Sequence, residues 1–86
     1  MELEGIVIKA TTLGSSRVTE FRLEGNETFF QTFVPIPLLR NNYVKGIAVG
    51  HESFDGMKVV SLDIYADKKA FENKEEPIHD YDSENG

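Results

Sequence analysis

Residues 17–34 read RVTEFRLEGNETFFQTFV and contain a whole hairpin. β-Branched and aromatic residues recur on both sides of Gly25-Asn26, a dipeptide suited to the positive φ angles of a tight turn. With those two residues at the tip, Phe21 faces Phe30, Thr19 faces Thr32 and Leu23 faces Thr28. Side chains alternate along a strand, so these six share one side of the ribbon. The other side carries Arg22 opposite Phe29, Glu20 opposite Gln31 and Val18 opposite Phe33. The first side is apolar enough to be core. The second mixes charge, amide and two phenylalanines, and needs a different explanation.

Strand signals continue on both sides of this hairpin. Upstream, LEGIVIKA (residues 3–10) is rich in β-branched residues, with Ile6, Ile8 and Ala10 on one face and Leu3 and Val7 on the other. Gly5 is placed to relieve a bend or bulge in it. Gly14-Ser15-Ser16 reads as a flexible connection. Downstream, Pro35-Ile36-Pro37 should end the third strand, because proline supplies no ladder donor and restrains its predecessor. Leu38 to Asn42 has room for one helical turn.

A second hairpin follows. YVKGIAVG (residues 43–50) and MKVVSLDIYA (residues 57–66) flank a turn signal at Asp55-Gly56. A two-residue turn there sets Val49 opposite Leu62, Ile47 opposite Ile64 and His51 opposite Val60. These six are the expected inward face, and a one-residue slip would reverse it. Asp67 to Glu75 reads as a short helix with Phe71 as its large apolar anchor, stopped by Pro77. Residues 76–86 are acidic and poor in aliphatics. They are expected to be a mobile tail, since they bury too little to offset the entropy of ordering.

Length and charge bound the rest. Eighty-six residues, 40% of them hydrophobic, make one domain around one core. The expected division is a barrel domain over residues 1–71 and an acidic tail over residues 72–86. The net charge of −6 is unevenly spread: residues 1–71 hold eight basic against nine acidic side chains, and residues 72–86 hold one against six. The body is therefore nearly neutral, and overall acidity does not oppose a nucleic-acid surface on it. The chain has no cysteine, which excludes disulfides, thiolate metal sites and cysteine nucleophiles. Its apolar runs are too short to cross a bilayer as a helix, and no secretory leader pattern appears. A soluble, cytoplasmic protein without membrane attachment is expected.

Five strands in so short a chain must bury one face and protect their edges, and a small closed barrel does both. The first strand EGIVIKA, the hairpin RVTEFRLEGNETFFQTFV, the connector PIPLLRNN and the hairpin VKGIAVGHESFDGMKVVSLDIY resemble the oligonucleotide/oligosaccharide-binding (OB) fold. The resemblance covers about residues 3–66 and lies in strand order and turn placement. It implies an all-β, five-stranded Greek-key barrel with a short C-terminal helix and a disordered acidic tail. The short connector before the fourth strand keeps an SH3-like barrel as the competing architecture.

That resemblance also implies a place for ligand. Domains of this kind commonly bind single strands across strands two and three and the flanking loops. Phe29 and Phe33, with Gln31 between them, would stack bases while Arg22 meets a phosphate or a base. Arg17 and Lys45 would assist electrostatically, and Tyr65 would add stacking. The expected partner is single-stranded DNA or RNA. The alternative buries the same phenylalanines in a protein interface, making the chain an interaction module or homo-oligomer. Single-stranded DNA-binding proteins of similar layout often carry an acidic, partner-recruiting tail; Ile78 and Tyr81 would be its anchors here.

Catalysis has little to stand on in this sequence. His51 has no carboxylate at a convincing spacing, and Ser15-Ser16 lacks an activating base. His79, Asp80 and Asp82 would bind a hard cation only after the tail had ordered. No phosphate-cradling glycine loop occurs. A non-enzymatic domain without cofactor or metal is expected.

Overall fold

The first strand is long because it serves two neighbours. In the computed structural model, which describes residues 1–13, 17–50 and 56–83, β1 runs Glu2–Leu13. Its first half pairs antiparallel with β4 (Tyr43–Gly50), from Glu2 opposite Ile47 to Ile6 opposite Tyr43. Its second half pairs antiparallel with β2 (Val18–Leu23), from Val7 opposite Leu23 to Leu13 opposite Val18. An irregularity between Val7 and Lys9 shifts the alternation by one residue. Leu3 and Val7 are therefore core, Ala10 joins them beyond the shift, and Ile8 is left outside.

The chain closes into a five-stranded barrel. β2 pairs with β3 (Phe29–Thr32), and β4 pairs with β5 (Gly56–Tyr65), both antiparallel. A parallel pairing of β3 with β5, Phe29 opposite Gly56 through Gln31 opposite Lys58, completes the circuit. Such a closed barrel is compatible with an OB-like small barrel. Among the described residues, no helix is long and apolar enough to cross a membrane.

The hairpin at residues 17–34 keeps the expected register. Thr19 pairs with Thr32, Glu20 with Gln31 and Phe21 with Phe30. Its inner side is core: Phe21 and Phe30 stack with ring centroids 5.4 Å apart. The connection is wider than a two-residue turn. The Asn26 N–H donates to Leu23 O, and the Asn26 side chain accepts from the Thr28 N–H at 2.9 Å. Gly25 takes φ +74°, as the turn requires. The buried threonines are satisfied where the chain leaves the barrel. Thr32 donates to Val34 O at 2.6 Å, and Thr19 Oγ1 accepts from the Ile36 N–H at 3.0 Å.

The second hairpin corrects the expectation. Val44 lies opposite Ile64 and Gly46 opposite Leu62, and a register shift between Ile47 and Ala48 sets Ala48 opposite Val59. The inward residues are thus Val44, Gly46, Ala48, Val59, Leu62 and Ile64. Ile47 and Val49, expected inside, point outward and are 48% and 43% exposed. The parity reversed because the bulge adds a residue on β5 only. Gly56, expected at the turn tip, belongs to β5 beside Phe29, which displaces the pairing without changing its parity. Asp55, His51 and Glu52 lie outside the described residues, as do Ser15 and Ser16.

Beyond the barrel, the chain is more ordered than its composition suggests. The connector at residues 33–42 carries no helix. Its buried Asn42 accepts from the Leu39 N–H at 2.8 Å and donates to Ala66 O at 3.2 Å, tying the connector to the end of β5. The helix α1 is Lys68–Glu72, capped by Asp67, whose side chain accepts from the Ala70 N–H at 2.8 Å. The stretch expected to be mobile from residue 76 instead supplies β6 (His79–Asp82), antiparallel to β5. Alternation explains it: Tyr81 turns inward beside the core, opposite Leu62, while Asp80 and Asp82 turn out.

Candidate nucleic-acid interface

The barrel's outer surface gathers residues from four strands into one face. Lys9 and Thr11 on β1 sit beside Arg22 and Glu20 on β2. Glu20 sits beside Gln31 on β3, and Gln31 beside Lys58 on β5. Gln31 Nε2 donates to Glu20 Oε2 at 2.9 Å, which fixes the amide and occupies the one acid in this row. Lys9, Arg22 and Lys58 outnumber it among the described residues of this row.

Both phenylalanines are 40% exposed on this face. Each has a cation over its ring. The Arg22 guanidinium lies 5.4 Å from the Phe29 centroid, and Lys58 Nζ lies 5.0 Å from the Phe33 centroid. Such pairs are attractive through the ring quadrupole and hold the cations near the apolar surface. Arg22 Nε is buried without a hydrogen-bond partner among the described residues. A shallow depression beside it is lined by Lys9, Thr11, Glu20, Phe21, Arg22 and Phe29. The arrangement alternates flat apolar rings with fixed donors, as stacking bases linked by phosphates require.

The other expected site residues are elsewhere. Arg17 is exposed at the start of β2, with φ +56° and its N–H donating to Leu13 O at 2.8 Å. Lys45 and Tyr65 lie on β4 and β5 against α1. There Phe71 packs on Tyr43 at 4.7 Å and meets Tyr65 edge-on at 5.1 Å, with Lys45 Nζ 6.0 Å from its centroid. The Tyr43 hydroxyl donates to Glu4 at 2.5 Å. Burial, and then that bond, push the Tyr43 hydroxyl up to about 12. Burial and the nearby Asp63 also raise Tyr65. The cleft beside Tyr65 is walled by Phe71, Glu72, Lys74 and Glu75. Two carboxylates make it a poor seat for phosphate.

Lys58 and Lys9 belong to the face; of the basic residues that a barrel could gather into one groove (Lys9, Arg17, Arg22, Arg40, Lys45 and Lys58), the sequence singles out only Arg17, Arg22 and Lys45. Lys58 arrives through the parallel β3–β5 pairing, which no turn signal announces. Lys9 follows from the shift in β1. Among the described residues, no group of histidines and acids is placed to hold a metal ion. The chain matches no protein-family model, no curated protein and no solved structure.

Proposed function

We propose that this chain is a non-enzymatic OB-type barrel that binds single-stranded nucleic acid across β2, β3 and the adjoining part of β5. The observation that carries the reading is the pair of exposed rings under cations, Arg22–Phe29 and Lys58–Phe33, on one face. The strand circuit β1–β2–β3–β5–β4 supports the OB assignment, since β1 is shared between β2 and β4 and β3 runs parallel to β5. In that fold the same strands are the usual binding surface. Bases would stack on Phe29 and Phe33, Arg22 and Lys58 would meet phosphates, and Gln31 would offer hydrogen bonds. Arg17 and Lys9 would extend the electrostatic reach.

Fluorescence anisotropy with labelled oligo-dT and oligo-U at low salt tests this. Phosphate contacts at Arg22, Lys58 and the neighbouring Lys9 predict a slope of log affinity against log salt of about −2 on single strands. Arg22→Gln should flatten that slope by about 0.7. Phe29→Ser should weaken binding about tenfold. Absence of binding at high micromolar protein removes the reading.

A second reading has its own observation. The exposed Ile47 and Val49 form an apolar strip on β4, and Val49 neighbours Lys58. An interaction or oligomerisation module would use that strip. Light scattering separates the two: a stable dimer that Ile47→Ser dissolves favours the module, and a monomer favours the nucleic-acid face.

A further inference from the structure

β3 and β6 lie end to end along one edge of β5. β3 holds that edge at Gly56, Met57 and Lys58, and β6 holds it from Ser61 to Ile64. The Ser83 N–H donates to Val60 O at 2.9 Å, so the end of β6 is brought up to the end of β3. At this seam lies a cleft of about 220 Å³ lined by Phe33, Val34, Lys58, Tyr81 and Ser83. That volume is below the ~300 Å³ at which sites for drug-sized ligands begin, and suits one planar group.

The cleft continues the face already described. Phe33 and its capping Lys58 belong to both. Tyr81 adds a ring that is half-buried and packed against the core, so ordering it on binding costs little entropy. Asp80 and Asp82 alternate with Tyr81 and turn out beside the cleft; neither is among the residues that line it. Ser83 contributes a hydroxyl that can donate or accept.

We propose, on the reading that the barrel binds single strands, that this seam is a one-nucleotide subsite in which Tyr81 stacks the base and Lys58 meets its phosphate. The C-terminal strand then forms part of the binding surface and is neither a competitor for it nor a mere solubiliser. The ligand class is a single-stranded polynucleotide long enough to reach from Phe29 past Phe33.

Titration of the full chain with oligo-dT of increasing length tests this. Wild type should gain affinity with length until the subsite is filled. Tyr81→Leu, which keeps the apolar packing, should lose about tenfold on the longest oligomer and match wild type on the shortest oligomer that binds. Tyr81→Phe should bind every length as wild type does. Lys58→Gln, at a residue the subsite shares with the face, should weaken every length. If Tyr81→Leu matches wild type at every length while Phe29→Ser fails, the subsite is wrong and the broader reading stands. Tighter binding by Tyr81→Leu would make β6 a competitor and overturn the subsite. If wild type binds no oligomer, the broader reading falls and the subsite with it.

Discussion

The barrel sets aromatic rings beside cations in two places, and it covers them differently. On β2 and β3, Phe29 and Phe33 keep 40% of their surface in solvent, with Arg22 and Lys58 over the rings. On β4 and β5, Tyr43 keeps only 7%, because α1 lays Phe71 across it and Tyr65. The ingredients are alike, since Lys45 stands over Phe71 as Arg22 stands over Phe29. One turn of helix makes the difference. Its phenylalanine takes the stacking position that a ligand would otherwise fill. The covered group therefore contributes to stability, and the exposed group is where the proposed function would stack a strand.

The strongest test of the covered side lies beneath it. Gly46 faces β5 so closely that a Cβ would stand 2.0 Å from Ser61 O and 3.0 Å from Leu62 Cα. Both contacts are backbone and cannot rotate away. Gly46→Ala should destabilise the protein by at least about 3 kcal/mol in urea unfolding. A loss below about 1 kcal/mol would mean that the two strands separate more easily than their pairing indicates.

Next in size is removal of the cover. Phe71→Ala should cost about 2 kcal/mol, less than a fully buried phenylalanine, and leave oligonucleotide affinity unchanged. Phe29→Ser should do the reverse, changing stability by less than about 1 kcal/mol while weakening binding. Equal losses of affinity in the two variants would erase the distinction between the groups.

The smallest effect is a pH dependence. Tyr43 ionises near 10 in the unfolded chain and about 12 in the folded one. Across that window the native state keeps a proton that the unfolded state releases. Stability should therefore fall as pH rises from 10 towards 12, and be insensitive to this group below 10. Tyr65 acts in the same direction. Tyr43→Phe should flatten the slope and cost about 1 kcal/mol at neutral pH, through the lost bond to Glu4. An unchanged slope would show that Tyr43 is not the source.

The two hairpins show where a single chain is readable. Around Gly25, strong residues face inward on both strands, so Phe21 and Phe30 identify the core side unaided. In β4 the size order is inverted. Gly46 faces the core where β5 approaches too closely for a Cβ, Ala48 faces it too, and Ile47 and Val49 face out. Hydrophobicity alone then selects the wrong side, and the bulge after Ile47 hides the slip. Gly46 was the available clue, as a glycine within a strand marks a close approach. The place of Lys58 beside Gln31 is illegible for another reason: parallel neighbours are joined through the whole barrel and leave no local mark. β6 was missed because its composition is acidic, although His79, Tyr81 and Ser83 already alternate with Asp80 and Asp82.

The central claim is that one aromatic and basic face takes up a single strand and the covered group does not. An NMR titration of the ¹⁵N-labelled full chain with short oligo-dT at low salt measures this residue by residue. The account predicts saturable shifts at Lys9, Arg22, Phe29, Gln31, Phe33 and Lys58, with Tyr43, Tyr65 and Phe71 unmoved. Shifts gathered around Tyr65 and α1, or none at high micromolar protein, would contradict it.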